Sequence, residues 1–102
     1  MKQEPFGPLM PILSFKDTDD VIKRANDNDL GLCSYIYTNS MEQAHRASEL
    51  METGCVAVNT AAVAVAEAPF GGIKQTGYGR EGGSMAIKDY LNIKYTHLGL
   101  KG

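Results

Sequence analysis

Cys33-Ser34-Tyr35-Ile36-Tyr37-Thr38, followed by Ser40-Met41-Glu42-Gln43-Ala44-His45-Arg46-Ala47-Ser48-Glu49-Leu50-Met51 and by Gly54-Cys55-Val56-Ala57-Val58-Asn59-Thr60, decides the architecture of this chain. The first run is aromatic and β-branched, which suits a half-buried strand. The second opens with S-x-x-Q, the form of a capping box in which the serine oxygen and the glutamine side chain satisfy orphan amides reciprocally. Met41, Ala44, Ala47, Leu50 and Met51 then recur at helical spacing, with Gly54 read as the stop. The third run is apolar on both faces, as in a strand interior to a sheet. Strand, helix, strand in that order is a crossover unit, and the right-handed rule for such units makes the strands parallel.

Working outward, Pro11-Ile12-Leu13-Ser14-Phe15 reads as a further strand after a start punctuated by proline and glycine. Lys16-Asp17-Thr18 begins a helix that Asp17 or Thr18 can cap. Val21, Ile22 and Ala25 share one face, and Asn26-Asp27-Asn28-Asp29 ends the pattern before Gly31. Beyond Thr60 come a loop of small residues, Ala61 to Ala68, a glycine-rich run, and a helix from about Glu81 or Ser84 to Tyr90. Leu91-Asn92-Ile93-Lys94-Tyr95-Thr96-His97-Leu98 alternates apolar and polar side chains, the pattern of an edge strand with one face buried. An exposed edge invites pairing, so oligomerisation by strand addition is expected. The fold class is α/β: a βαβαβ unit with a C-terminal helix and a terminal strand.

Composition bounds the partners. A chain of 102 residues with 43% hydrophobic and 22% charged residues is long enough for one modest core, hence one domain. The net charge of -2 and singly scattered Lys and Arg give no field for nucleic acid. No apolar stretch approaches the roughly 20 residues of a membrane helix, and no signal segment opens the chain, so a cytoplasmic location is expected. Cys33 and Cys55 lack a C-x-x-C pattern and lie in apolar runs, which favours buried thiols in a reducing compartment over a disulfide. Neither sits like a nucleophile, since each begins a strand rather than meeting a helix N-terminus or a cation. His45 and His97 have no ligand-spaced companions, so no metal site is expected.

Pro69-Phe70-Gly71-Gly72-Ile73-Lys74-Gln75-Thr76-Gly77-Tyr78-Gly79-Arg80-Glu81-Gly82 holds many glycines around isolated charges, a composition that specifies backbone shape. Gly77 to Gly82 satisfies G-x-G-x-x-G, yet a loop rather than a buried strand precedes it. The acidic residue expected about 20 positions later falls at or past the chain end. A shaped loop leading into a helix is the better reading.

Glu4-Pro5-Phe6-Gly7-Pro8, Asn26-Asp27 with Leu30-Gly31-Leu32, Val58-Asn59-Thr60, the run from Pro69 to Gly77, and Gly79-Arg80-Glu81-Gly82 follow the order and spacing of the aldehyde dehydrogenase superfamily. Essentially the whole chain resembles the last fifth or so of such an enzyme. Glu67-Ala68-Pro69-Phe70 and Asp89-Tyr90-Leu91-Asn92-Ile93-Lys94-Tyr95 look most like the succinate-semialdehyde dehydrogenases. The resemblance implies that residues 1–90 are the C-terminal part of the catalytic domain and 91–102 an oligomerisation strand and tail. Glu4 matches the glutamate that accepts from the nicotinamide ribose hydroxyls. Phe6 matches the aromatic near the nicotinamide, so NAD or NADP is the implied cofactor. Phe70 matches a residue of the aldehyde tunnel, whose apolar wall excludes water. The terminal strand, Leu91 to Leu98, matches the segment that joins a neighbouring subunit's sheet.

The family reaction is attack by a cysteine thiolate on an aldehyde, hydride transfer to the cofactor, and thioester hydrolysis aided by a glutamate base. The cysteine in G-Q-x-C, the base in E-L-G-G-K, the oxyanion-stabilising asparagine and the Rossmann part lie upstream in the family. The resemblance therefore implies no catalytic residue here, no turnover by this chain alone, and a missing N-terminal part as partner. Two positions depart from the pattern. A serine that binds the substrate carboxylate in succinate-semialdehyde dehydrogenases falls at Ala64, whose methyl group donates no hydrogen bond. Arg80 matches an arginine that in several members pairs with a glutamate at the position of Asn92. A self-associating module without catalysis is the alternative.

Overall fold

The computed structural model describes residues 4–100 and 102. Its centre is the crossover unit. Strand β2 (Cys33–Ile36) pairs in parallel with β3 (Cys55–Val58), and helix α2 (Met41–Leu50) connects them. Helix α1 (Thr18–Asn26) packs on α2, and a second two-stranded ladder joins β1 (Leu30–Gly31) antiparallel to β4 (Ile73–Lys74). Asp17 caps α1 by accepting from the Asp20 amide at 2.9 Å, with Asp19 and Asp20 in the first turn and Lys23 and Arg24 in the last, each suited to the helix dipole.

The capping box of α2 is half formed. Ser40 Oγ accepts from the Gln43 amide at 3.3 Å, but the Gln43 side chain accepts from the Thr38 hydroxyl, which in turn accepts from the Ser40 amide. Thr38 thus stands between the two ends that a capping box joins directly. Gly54 does not stop the helix either. Met51 leaves it in an extended conformation, and Gly54 lies against Gly71.

Three expected elements differ. Residues 11–15 form no strand: among the described residues no ladder pairs with them, Pro11 has no amide to donate, and Leu13 and Phe15 stay exposed. The βαβαβ unit therefore reduces to one βαβ. The C-terminal helix is a single 3-10 segment, Ala86–Tyr90, because Gly82 and Gly83 hold positive φ and turn the chain before it. Among the described residues no ladder pairs with Leu91 to Leu98, and all eight are exposed.

Two asparagines and a lysine hold the elements together. Asn26, the last residue of α1, donates from Nδ2 to the Leu50 carbonyl at 2.8 Å and accepts at Oδ1 from the Glu52 amide at 2.9 Å, clipping α1 to the end of α2. Asn59, at φ 54, uses its side-chain amide to accept from Thr38 N and donate to Thr38 O, which prolongs the β2/β3 pairing by one step. Lys74, at φ 57, reaches the Asn26 and Asn28 carbonyls at 3.1 Å each and the Glu52 carboxylate.

Among the described residues the buried apolar side chains are Ile22, Ala44, Ala47 and Ala57. That core is small, and the molecule is open. Its radius of gyration is 19.1 Å where a compact domain of this length has about 13 Å. Its accessible surface is 8688 Å², where a folded monomer of this mass exposes about 5,600 Å². The difference, about 3,000 Å², exceeds the area that a standard protein interface buries.

Because Asn26 satisfies two backbone groups of another element, Asn26→Ala should lower stability by about 1–3 kcal/mol in denaturant titration. Asp19→Ala, which removes the exposed Arg46–Asp19 pair and one first-turn carboxylate of α1, should cost about 1 kcal/mol or less.

Candidate functional site

The glycine-rich run folds on itself because side chains are absent where its strands of backbone meet. A Cβ on Gly54 would stand 2.0 Å from the Gly71 carbonyl oxygen, and one on Gly71 would stand 2.2 Å from that of Gly79. Arg80 threads this turn. Its Nη1 donates to the Gly72 carbonyl at 2.7 Å and to those of Tyr78 and Gly79 at 3.0 Å. The guanidinium is therefore occupied by backbone carbonyls. The bond from the loop to the C-terminal segment is made by Asp89, whose carboxylate accepts from the Arg80 amide at 3.1 Å.

Phe70 and Glu81 exchange both backbone hydrogen bonds at 2.7 Å in an isolated antiparallel bridge. The bridge is a wall between two clefts. On one side Ala64, Val65, Ala66 and Gly82 join Phe70 and Glu81 around about 310 Å³. On the other, Leu32, Tyr78, Arg80, Asp89 and Tyr90 contribute to a cleft of about 350 Å³. Gly82, at φ +72, lets the loop of small residues dock: a Cβ there would stand 2.7 Å from the Ala68 carbonyl, and the neighbouring Gly83 amide donates to Ala66 O at 2.8 Å.

Of the four residues singled out from the sequence, Ala64 and Phe70 come together in the first cleft. Glu4 and Phe6 do not line it. They lie on the segment before α1, joined by a Phe6 amide to Glu4 carbonyl bond at 3.1 Å, with the Glu4 side chain in solvent and Phe6 94% exposed. The Glu4 carboxylate and the Phe6 ring are thus both open to solvent.

Cys55 touches the glycine-rich run, where its thiol donates to the Gly71 carbonyl at 3.5 Å, and Cys33 lies opposite it on β2. Burial raises the Cys33 thiol above its ordinary range, and the adjacent Cys55 adds to the rise. Sequence reasoning missed the clip at Asn26, the strand-prolonging amide of Asn59 and the link through Asp89. The first two stand inside motifs already noted, and an asparagine just past a helix or strand pattern is the signal that marks such a clip.

The aldehyde dehydrogenase family model matches residues 1–96. The chain is 48% identical over 99 residues to an NADP(+) succinate-semialdehyde dehydrogenase, GabD, of Escherichia coli strain K12, covering 97% of this chain and 20% of that protein. It is 50% identical over 97 residues to a 3-sulfolactaldehyde dehydrogenase of Pseudomonas putida, covering 95% and 20%. The solved NAD+ complex of an aldehyde dehydrogenase from Bacillus cereus superposes with a TM-score of 0.89 at 38% identity, over 98% of this chain and 20% of that one. The chain thus spans about one fifth of the length of the curated relatives it matches. With the family match running through both the glycine-rich wall and the crossover unit, the chain belongs to the aldehyde dehydrogenase family.

Proposed function

We propose that this chain is the C-terminal part of an NAD(P)-dependent dehydrogenase that oxidises an aldehyde bearing an acidic group at its other end to the corresponding carboxylate. Residues 1–90 complete the catalytic domain, and 91–102 serve as a subunit-pairing strand and tail. The observation that carries this reading is the surface of about 3,000 Å² beyond that of a self-contained monomer. Phe6, in one of the family motifs, stands within that exposed surface.

In the assembled enzyme Glu4 holds the cofactor through its ribose hydroxyls, Phe6 packs beside the nicotinamide, and the bound cofactor supplies the hydride acceptor. A carboxylate that accepts two hydroxyls fixes the sugar more firmly than either bond alone. Phe70 forms an apolar wall of the aldehyde tunnel and keeps water from the reacting carbon. Ala64 lies near the acidic end of the substrate. The relatives named for succinate semialdehyde and 3-sulfolactaldehyde differ in that end, a carboxylate in one and a sulfonate in the other, which supports the class rather than one member. The exposed alternation from Leu91 to Leu98 supports strand addition to a second subunit, with or without catalysis.

The purified chain should reduce neither NAD nor NADP with any aldehyde, and adding the remaining four-fifths of the enzyme as a separate polypeptide should restore reduction. Turnover by the chain alone would refute the assignment. In the complete enzyme Ala64→Ser should lower KM for succinate semialdehyde by about tenfold, the equivalent of about 1.4 kcal/mol from one new bond to a charged group; an unchanged KM would remove Ala64 from the substrate site. Deleting Leu91 to Leu98 should convert the assembly to smaller species in sedimentation velocity, and an unchanged mass would place the interface elsewhere.

A further inference from the structure

The parallel register of β2 and β3 sets Cys33 directly opposite Cys55. Residues so paired share a face of the sheet, and a strand spacing of about 4.8 Å puts their Cα atoms inside the range of about 4.4–6.8 Å that a disulfide spans. Both thiols are free and half-buried. The influence of Cys55 on the Cys33 thiol reports the same proximity. Cys55 also touches the glycine-rich run, through its bond to the carbonyl of the residue that follows Phe70.

We propose that Cys33 and Cys55 are a reversible dithiol–disulfide pair oxidised by hydroperoxides, and that closing it releases the Gly71 carbonyl. The Cys55 sulfur, as thiolate, attacks a peroxide oxygen, since burial holds Cys33 as the protonated thiol. The O–O bond breaks, leaving a sulfenic acid on that sulfur and a hydroxide that takes up the thiol proton. The second sulfur then attacks the sulfenic sulfur and displaces its oxygen as water. With hydrogen peroxide the two sulfurs lose two electrons in all, and the peroxide becomes two waters. An added dithiol returns both electrons and both protons.

In a reducing compartment such a bond is transient and regulatory rather than structural. The Cys55 hydrogen is consumed when the bond forms, so Gly71 loses its sulfur donor, and the adjoining Phe70–Glu81 wall is the part of the site that registers the change. The inference needs only the two strands of this chain and is independent of the aldehyde-oxidising role.

The test treats the native chain with hydrogen peroxide, blocks residual thiols by alkylation, and measures intact mass, a peptide digest and circular dichroism together. The expected result is loss of two hydrogens from each chain, a Cys33–Cys55 cross-link in the digest, an unchanged spectrum, and recovery of both thiols with dithiothreitol. Chains linked in pairs, oxygen adducts on separate cysteines, unreacted thiols, or a cross-link formed only in guanidinium would each overturn the pairing. Amide hydrogen exchange across Gly71 and Gly72 should quicken several-fold on oxidation, and unchanged exchange there would overturn the coupling to the run.

Discussion

The close approach of the Gly71 backbone to Gly54 is the contact on which this structure turns. Gly54 leads into β3, and Gly71 opens the glycine-rich run, so the contact seats the C-terminal third of the chain on the start of a central strand. No side chain fits between them. Once Gly71 is placed, the next residues run along β1 as β4, and Lys74 comes within reach of the carbonyls at the end of α1. The same placement sets Phe70 opposite Glu81 and so raises the wall between the two clefts.

That dependence explains a left-handed lysine. A residue with a side chain at φ 57 costs on the order of 1–2 kcal/mol of backbone strain. Two carbonyls and a carboxylate meeting at its ammonium are the interactions that offset it. The Asn26 carbonyl closes α1, where the helix dipole favours a cation, and the Asn28 carbonyl lies just beyond the helix end.

The crossover unit was legible because its signals are local: a cap, a helical period, and an apolar run long enough for a buried strand. The failures share one cause. Residues 11–15 read as a strand by pattern, but a strand is defined by a partner, and among the described residues that stretch finds none, while 91–98 reads as a strand for a neighbouring subunit. Gly54 read as a helix stop because glycine after a helical period has that meaning locally. Its actual constraint comes from Gly71, 17 positions away by sequence number, and no local window contains it. Ala64 and Phe70 were recognisable through the family pattern, whereas the pairing of Cys33 with Cys55 depends on register and became visible only in the sheet.

A core of four small or medium side chains among the described residues, beneath so much exposed apolar surface, is the signature of a part, not a whole. Phe6 at one end and Ile93 at the other stand almost wholly in solvent. The most direct test is to read the genomic DNA upstream of the Met1 codon in the same frame. The account predicts an open frame of several hundred codons that encodes G-Q-x-C and E-L-G-G-K. An in-frame stop codon followed by unrelated sequence would contradict it.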